Sequence, residues 1–409
     1  MSKLKPLRFS YNVTLGCDPE FFFSSGGKVV GSEKILPETG LKYDPTKDRS
    51  GWDGAHTALT GSESKFVVDG VQAELNPRPN TCRANLGNEI GACFRKLWKD
   101  LKDNGKEFNI DFKPLVNITK AELDSLSEKS KVFGCAPSTN VYQKPEDAKI
   151  KVNPKKYLKR SAGGHIHMGW HAGYWGGGND TPKMKDTMEN AAVLVPILDL
   201  VVANTCVLVD RDPGNVERRA NYGRVGEYRP KEYGIEYRTM SNFWLRSYQL
   251  MSLVTGLCRM ACHLAEQSTE ENNYVKALTD AVPREDVIKA VQENDFDLAY
   301  ANFKKIEDIL LTAAGENSQN YPISKGTIKM FHHFVKRGMD HWFNFDSLQH
   351  WIKLPEGHGT GFESFLCGAV STDMTTYKET AVDLNEPRAV NRQGKITLKK
   401  KVEWEIVEA

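Results

Sequence analysis

The sequence predicts an α+β fold, with strands concentrated near the N-terminus and helices dominating the remainder. Over the first 80 residues, short apolar runs such as Phe21–Phe23 and Phe66–Val68 alternate with Gly and with Asp-Pro or Asn-Pro pairs. This punctuation is typical of strands and turns. Further along, apolar residues recur every three or four positions in several long segments, which indicates helices.

The first helix is predicted from Leu86 to Leu101, with Gly105 as a stop just beyond it. Thr181-Pro182 has the form of an N-cap followed by proline in the first turn, so a second helix is predicted from there to about Val209. Residues 110–160 have no clear period. Further helices are predicted over 247–265 and through most of 275–345.

Composition and charge exclude several classes of protein. The chain has 409 residues, with 55 Lys and Arg against 53 Asp and Glu, so its net charge is +2. Proteins that bind DNA usually carry a strong basic excess, so the charge disfavours a nucleic-acid partner without excluding one. Aromatic residues make up 10% of the chain, which excludes disorder over its whole length.

The cysteines and the N-terminus predict a reducing, cytoplasmic location. The eight cysteines form no CxxC pair, and no apolar signal segment follows Met1. The most apolar stretch, Ala191–Val209, contains Pro196 and Asp199. Burying Asp199 in a bilayer would cost on the order of a few kcal/mol. We therefore expect a buried core helix there and no membrane partner.

Four short segments share one pattern of polar side chains. In each, two side chains able to bind a metal or a phosphate stand two residues apart, with proline or an apolar residue between them. Residues i and i+2 of a strand point to the same face, about 6.6 Å apart. The segments are Gly16-Cys17-Asp18-Pro19-Glu20-Phe21-Phe22, Val71-Gln72-Ala73-Glu74-Leu75-Asn76-Pro77, Gly163-Gly164-His165-Ile166-His167-Met168-Gly169 and Gly234-Ile235-Glu236-Tyr237-Arg238-Thr239-Met240.

If all four segments are strands of one sheet, one face collects most of their polar side chains. These are Asp18, Glu20, Glu74, His165, His167, Glu236 and Arg238. Four carboxylates on one face repel each other unless cations neutralise them, and an oxygen-rich set suits Mg²⁺ or Mn²⁺. Arg238 would neutralise a phosphoryl group. The pattern thus predicts metal-assisted phosphoryl transfer from a nucleotide. Taken alone, Asp-Pro-Glu is more typical of a turn, Glu-x-Asn-Pro of a strand end and Glu-x-Arg of a surface ion pair, and His-x-His is as typical of a structural or zinc-related pair.

Other motifs narrow the prediction. The chain has no phosphate-binding GxxxxGK[ST] loop, no HExxH, no GxSxG and no dinucleotide-binding GxGxxG, and Ser24–Lys28 is expected to close a hairpin. Gly173–Asn179 is predicted to be a connection that either closes over a ligand or lies on the surface. Arginines suited to phosphate or carboxylate recognition, or to a solvated basic loop, precede the fourth segment: Arg211, Arg218, Arg219, Arg224 and Arg229.

In their order along the chain, the four segments resemble the carboxylate–amine ligase superfamily built on the glutamine synthetase and glutamate–cysteine ligase fold. The resemblance is strongest to the phage-type COOH–NH2 ligases, the type 2 amidoligases, and spans about residues 10–245. It implies an antiparallel sheet curved into a funnel, with helices packed on its outer face. From the element pattern along the chain we predict a catalytic core over 1–270, a helical region over 271–375 packed on it, and a polar, Lys-rich tail over 376–409.

The resemblance also implies roles for individual residues, with ATP and Mg²⁺ or Mn²⁺ as cofactors. One departure is the Asp-Pro-Glu of the first segment, where many relatives have two glutamates. The implied metal ligands are Asp18, Glu20, Glu74, His165 and Glu236. The implied phosphate-binding residues are Arg238, Arg229 and His165. The implied substrate-binding residues are Asn76, Arg224 and His167, and the implied catalytic residues are Glu236, Arg238 and His167.

The implied reaction converts a substrate carboxylate to an acyl phosphate, which an amine attacks to give an amide, ADP and phosphate. The substrates would be a small-molecule or peptide carboxylate and amine, and a phage-encoded enzyme would work in the host cytoplasm. Three alternatives stay open at this point. They are a guanidino-type small-molecule kinase on a related sheet, a zinc hydrolase using His165 and His167, and a non-catalytic virion or scaffold protein.

Overall fold

The computed structural model describes residues 13–36, 65–80, 83–103, 105, 108–128, 130–131, 138–144, 152–169, 184–231, 233–266, 268, 273–316, 327–328, 331–332, 335 and 347–353. Within them the protein is α+β, with curved antiparallel sheets and helices, as the sequence predicts. The strands are β1 Thr14–Cys17, β2 Glu20–Ser25, β3 Lys28–Val30, β4 Lys65–Asp69, β5 Gln72–Asn76, β6 Asn109–Asp111, β7 Leu115–Asn117, β8 Thr139–Asn140, β9 Lys159–Ser161, β10 Ile166–Gly169, β11 Glu227–Lys231 and β12 Gly234–Tyr237.

The helices follow α1 Arg83–Asp103, α2 Lys120–Asp124, α3 Met184–Leu198, α4 Thr205–Val207, α5 Gly214–Asn221, α6 Tyr248–Glu266, α7 Tyr274–Ala281, α8 Arg284–Gln292, α9 Phe296–Glu316 and α10 Ser347–Lys353. Short 3₁₀ turns cover Ser32–Lys34 and Asn242–Arg246, and a π-helical segment, Asp199–Asn204, joins α3 to α4. The predicted helices over 86–101 and 247–265 are confirmed as α1 and α6. Thr181-Pro182 lies outside the described residues.

Two five-stranded antiparallel sheets carry the polar segments. The first sheet has the order β1-β10-β12-β11-β8, and the second has the order β3-β2-β5-β4 with β6 also paired to β2. Strands β7 and β9 form a separate pair. The expectation of one sheet for all four segments is therefore wrong. The chain leaves the first sheet after β1 and enters the second at β2, and the change falls at Asp18-Pro19, where proline has no N–H to continue a ladder.

The hairpin predicted over Ser24–Lys28 is confirmed, since Ser25 pairs with Lys28 across the turn. Gly26 and Gly27 both have positive φ, 57° and 77°, and nothing lies within 4 Å of where their Cβ atoms would be. Positive φ at both central residues is what a two-residue type I′ hairpin requires, and glycine adopts it without steric cost.

The apolar run singled out in the sequence is a core helix. Among the described residues, Met188–Val207 is a helical span long and apolar enough to cross a membrane, but 78% of its most apolar window is buried inside the protein. Helix α3 packs against β11, β12 and α6. The helices thus cover the apolar face of the first sheet, formed by Ile166, Met168, Ile235 and Tyr237, and leave the alternate side chains on the opposite face.

Candidate functional site

The strand register of the first sheet aligns three polar side chains across neighbouring strands. His167 on β10 is paired with Glu236 on β12, and Glu236 is paired with Arg229 on β11. Paired residues of an antiparallel sheet project to the same face, so these three side chains form a row. Gly16 on β1 completes the row beside His167.

Asp18 joins this row to make what we call the first cluster: Asp18, His167 and Glu236. Their candidate ligand atoms all lie within 4.8 Å of one another. Asp18 Oδ1 is 3.0 Å from His167 Nε2 and 3.2 Å from His165 Nδ1. His165 Nδ1 is also 3.7 Å from Glu236 Oε1, so His165 borders the cluster.

Three cations surround the carboxylate of Glu236. Arg229 Nη1 lies 3.1 and 2.9 Å from its two oxygens, Lys231 Nζ lies 2.9 Å from Oε2, and Arg238 Nη1 contacts Oε1. Burial and the charge of Asp18 raise the pKa of Glu236, but Arg238, followed by the two histidines, brings it down to about 2. Glu236 is therefore ionised at neutral pH.

Asp18 is held ionised in a similar way. Burial raises its pKa, but the charges and hydrogen bonds of His167 and His165 keep that pKa well below its usual value. An ionised carboxylate only accepts hydrogen bonds, so the proton between Asp18 and His165 is on Nδ1 of the imidazole. Burial and Arg238 lower the pKa of His165 to about 4, which leaves the ring neutral with a lone pair on Nε2.

That Nε2 atom of His165 is buried, and no group of the described residues hydrogen bonds to it. An atom with a lone pair is a metal ligand and not a donor to phosphate, so the tautomer favours the metal role predicted for His165 over the phosphate role. Gly163 leaves room for the ring, since a Cβ at that position would lie 2.2 Å from Nε2.

A second cluster of carboxylates lies on the second sheet: Glu20, Asp69 and Glu74. Glu20 on β2 is paired directly with Glu74 on β5, and Asp69 is the last residue of β4. Their candidate ligand oxygens also lie within 4.8 Å of one another. Sequence reasoning missed Asp69, because Asp69-Gly70 has the form of a hairpin turn. Asp69 lies two residues after Val67, which pairs with Glu74, so Asp69 is on the same face of the sheet as Glu74. This spacing is the signal by which Asp69 could have been identified.

The carboxylates of the second cluster have raised pKa values, so without a cation they tend to bind protons. Burial and the charge of Asp69 raise the pKa of Glu20 to about 8, although hydrogen bonds from Tyr222 and Gly163 oppose this. Burial, followed by the charges of Asp18, Asp69 and Glu20, raises the pKa of Glu74 well above its usual value. Like charges so close together favour bound protons or a bound cation.

The donor chemistry of both clusters fits hard divalent cations. The second cluster offers only carboxylate oxygens, and the first offers two carboxylates and one imidazole, with His165 alongside. Oxygen-dominated sets of this kind suit Mg²⁺ or Mn²⁺, whereas structural zinc sites are built from thiolates and imidazoles. Cys17, next to Asp18 in the chain, is buried in the hydrophobic core.

Tyr222 links the two clusters and was missed in the sequence. Its hydroxyl donates to Glu20 Oε1 at 2.6 Å and accepts from Arg238 Nη2 at 3.2 Å, and its ring packs edge-on against His165. The other oxygen of Glu20 accepts from the backbone N–H of Gly163 at 2.6 Å. Tyr222 follows helix α5, about 200 residues from Glu20, and no local pattern marks it.

The three residues predicted to bind substrate lie in three different places: beside the second cluster, in the first cluster, and outside both. Asn76 Nδ2 donates to Glu74 Oε1 at 2.7 Å, so Asn76 supports the second cluster. His167 lies in the first cluster, and its Nδ1 contacts the hydroxyl of Tyr233, whose ring stacks on the imidazole. Arg224 Nε donates to Glu227 Oε1 at 2.8 Å, which is an ion pair outside both clusters.

The arginines preceding β11 mostly serve the fold. Arg218 is fully buried and donates to backbone carbonyls, Arg219 donates to the carbonyl of Val291, and Arg211 lies over the ring of Phe296. Of the five predicted arginines, Arg229 is the one whose described contacts include a cluster carboxylate. The connection Gly173–Asn179 lies outside the described residues.

The comparisons with known proteins point to one family. The family model described as phage phiEco32-like COOH.NH2 ligase-type 2 matches residues 149–351, about half of the chain. No curated protein matches the chain significantly. The matched segment contains His165, His167, Arg229, Glu236 and Arg238, while the carboxylates Asp18, Glu20, Asp69 and Glu74 precede it. The family pattern also continues well past residue 245, where the sequence resemblance was expected to fade, through the helices that pack behind the first sheet.

Proposed function

Because this chain belongs to the phage phiEco32-like COOH.NH2 ligase-type 2 family, and so to the carboxylate–amine ligases, we propose that it consumes ATP, with Mg²⁺ or Mn²⁺, to join a carboxylate to an amine through an acyl phosphate. The family description supports the formation of the amide bond. The dependence on ATP and on a metal is inferred from the chemistry of the site.

One observation carries this inference: two cation-competent clusters lie next to each other with guanidinium groups at their border. The clusters interact, since the charge of Asp18 in the first raises the pKa of Glu74 in the second. Arg238 contacts Glu236 of the first cluster and, through the hydroxyl of Tyr222, reaches Glu20 of the second. Paired cation sites flanked by arginine suit the polyphosphate of a nucleotide.

The residues would have the following roles. Glu20, Asp69 and Glu74 would hold one cation, and Asp18 and Glu236, with His165 or His167, would hold another. When bound, such cations neutralise phosphate oxygens and polarise the γ-phosphoryl group. Arg238 and Arg229 would contribute positive charge where the transferring phosphoryl group develops negative charge, and their fixed positions avoid a reorganisation cost.

In the first step a carboxylate oxygen of the substrate attacks the γ-phosphorus, and the bond to the β-phosphate oxygen breaks to release ADP. In the second step the amine nitrogen attacks the acyl carbon, and phosphate leaves with the bonding electrons. The amine must then lose a proton. His167, between Asp18 and the hydroxyl of Tyr233, is the group we propose to accept it.

The test is ADP release from ATP and Mg²⁺ by purified protein supplied with panels of carboxylates and amines, with the products identified by mass spectrometry. Release that needs both substrates, with a new amide product, supports the proposal. A phosphorylated product formed without an amine would instead identify a kinase. Hydrolysis that depends on zinc and not on ATP would identify a hydrolase. Glu217→Gln changes only an exposed surface ion pair, so this control variant should release ADP as the wild-type protein does.

A further inference from the structure

Asp199 is a buried carboxylate that the proposed chemistry does not use. It is the first residue of the π-helical segment, its side chain is fully buried, and it lies behind the first sheet, on the face opposite both clusters. Its Oδ1 accepts a hydrogen bond from the hydroxyl of Tyr237 at 2.6 Å and lies 3.3 Å from the hydroxyl of Thr239. π-Helical turns are frequent at functional sites.

Tyr237 and Thr239 are the two neighbours of Arg238. In an extended chain the side chains of Tyr237 and Thr239 point away from that of Arg238. One carboxylate oxygen of Asp199, on the apolar side, therefore contacts the residues on both sides of the arginine. On the other side, the guanidinium of Arg238 contacts Glu236 and Tyr222. The backbone N–H of Arg238 donates to the carbonyl of Glu227 at 3.0 Å.

Two further donors lie near the same carboxylate. The hydroxyl of Tyr142 and the backbone N–H of Gly226 oppose the rise in the pKa of Asp199 that burial causes, although Oδ2 has no hydrogen-bond partner among the described residues. Tyr142 follows β8, and Gly226 immediately precedes β11, so groups from three strands of the first sheet surround the carboxylate. These donors are neutral groups. A buried carboxylate is costly even when it is hydrogen-bonded, whereas an apolar side chain would suit a core helix at no such cost.

We propose that Asp199 is a positioning residue for Arg238. Its Oδ1 accepts from the hydroxyl of Tyr237 and borders the hydroxyl of Thr239, whose single proton is shared with the carbonyl of Arg224. These contacts fix the backbone from which the guanidinium would reach the phosphates. This inference rests on the proposed function, in which Arg238 neutralises the transferring phosphoryl group. A shift of about 1 Å in such a group can cost on the order of 100-fold in rate.

The test compares Asp199→Asn with Asn204→Ala. Asn204 lies in the same π-helical segment and is fully buried, but its amide donates to the carbonyl of Ala299 on α9, away from the sheet. Asp199→Asn is expected to lower kcat for ADP release about 10- to 100-fold and to leave KM for ATP within about threefold. Asn204→Ala is expected to keep kcat within about twofold of wild type.

Thr239→Val and Tyr237→Phe each remove one donor and provide a second route should Asp199→Asn fail to fold. If the three groups act as one unit, the double variant Asp199→Asn/Tyr237→Phe loses no more kcat than the more severe single variant. Multiplied losses would mean that the residues act independently, and this result would overturn the proposal. So would an unchanged kcat in Asp199→Asn, or the same loss in Asn204→Ala.

A readout that needs no turnover separates this inference from the proposed function. Hydrogen exchange over residues 234–240 should be faster in Asp199→Asn than in wild type, and unchanged in Asn204→Ala. If the wild-type protein shows no ATP turnover, the proposed function fails and exchange alone decides whether Asp199 holds this segment. Unchanged exchange in Asp199→Asn would then overturn the inference.

Discussion

At the scale of single residues, the site is organised by how charge is compensated. Glu236 contacts Arg229, Lys231 and Arg238. Burial raises its pKa, but Arg238, followed by the two histidines, brings that pKa down to about 2. Glu20, also buried, lies among other carboxylates, and its pKa is raised to about 8. The two glutamates therefore differ in what they need. Glu236 is already neutralised by protein cations, whereas Glu20 needs a proton or a metal ion.

Glu236→Gln should reduce ADP release by at least about 100-fold, the loss typical of removing one group that stabilises charge in a transition state. The variant loses a cation ligand and leaves three buried or half-buried cations less compensated. Steady-state ADP release, with circular dichroism to confirm the fold, is the measurement. Retained turnover in a folded variant would remove Glu236 from the site.

Tyr222→Phe should raise the Mg²⁺ concentration needed for half-maximal activity several-fold and reduce stability by about 1 kcal/mol, the usual value of one buried hydrogen bond. The hydroxyl it removes is a donor to Glu20 and an acceptor from Arg238. Tyr228→Phe is the matched control, since Tyr228 is buried in the hydrophobic core on the opposite face of the first sheet. A normal Mg²⁺ requirement in Tyr222→Phe would contradict the link between the clusters.

At the scale of elements, the important features are the ends of the strands and the segment in which an α-helix becomes π-helical. Strand β1 ends just before Asp18-Pro19, strand β12 ends just before Arg238, and the turn before β10 carries His165. Catalytic side chains often sit on such ends because a rigid element fixes them while the connection leaves room for a ligand.

Gly163→Ala should weaken metal binding sharply without altering the sheets. A Cβ at this position would lie 2.2 Å from Nε2 of His165, so the ring must shift from the position in which its Nδ1 contacts Asp18. Titration with Mn²⁺ followed by electron paramagnetic resonance would measure the loss, expected to be about 10-fold or more. Gly91→Ala on α1 is the control, because its nearest neighbour is the flexible end of Arg95. Equal affinities in the two variants would show that His165 does not act on the metal.

The π-helical segment makes stability depend on pH. Burial raises the pKa of Asp199 to about 6, although hydrogen bonds from Tyr237 and Tyr142 oppose this. Between pH 4 and 6 the folded protein retains a proton that the unfolded chain releases, so the free energy of unfolding falls as pH rises, and above pH 6 the cost is constant. A shift of about two units corresponds to about 3 kcal/mol.

Asp199→Asn removes this cost, so its free energy of unfolding relative to wild type should increase by up to about 3 kcal/mol between pH 4 and pH 7. Urea denaturation at both pH values measures the difference. A variant that gains stability at neutral pH while losing activity separates positioning from simple support of the fold. Parallel pH curves for the two proteins would mean that Asp199 is not protonated in this range.

At the scale of the whole molecule, the helices of the C-terminal half pack directly behind the site. Helices α8 and α9 contact the π-helical segment, α7 contacts α6, and α10 contacts α1. The division into a core over 1–270, a helical region over 271–375 and a tail over 376–409 stays a prediction. The family pattern, which runs from 149 to 351, crosses the first of these boundaries.

Binding of ATP should stabilise the whole fold only when Mg²⁺ is also present. Ligand at about 100 times its dissociation constant contributes roughly 2.7 kcal/mol, which a thermal melt resolves. ATP with Mg²⁺ is compared with ATP alone and with ATP plus EDTA. A shift with Zn²⁺ but none with ATP would favour the hydrolase, and no shift with any of them would favour a scaffold role.

The sequence by itself determined which side chains are candidates for the site. Alternation at i and i+2 is a local property of strands, so Asp18, Glu20, Glu74, His167 and Glu236 could be identified as candidates for a shared site from their own segments. Helices α1 and α6 and the Gly26-Gly27 hairpin were readable for the same reason: period and turn chemistry involve only near neighbours.

Only the tertiary structure decided how these side chains are distributed. It divided them between two sheets at Pro19, added Asp69 and Tyr222, and assigned Arg218 and Arg219 to backbone carbonyls of the fold. Each of these facts depends on pairing between residues tens to hundreds of positions apart. Which strands pair is set by burial summed over the whole chain, and no local pattern encodes that sum.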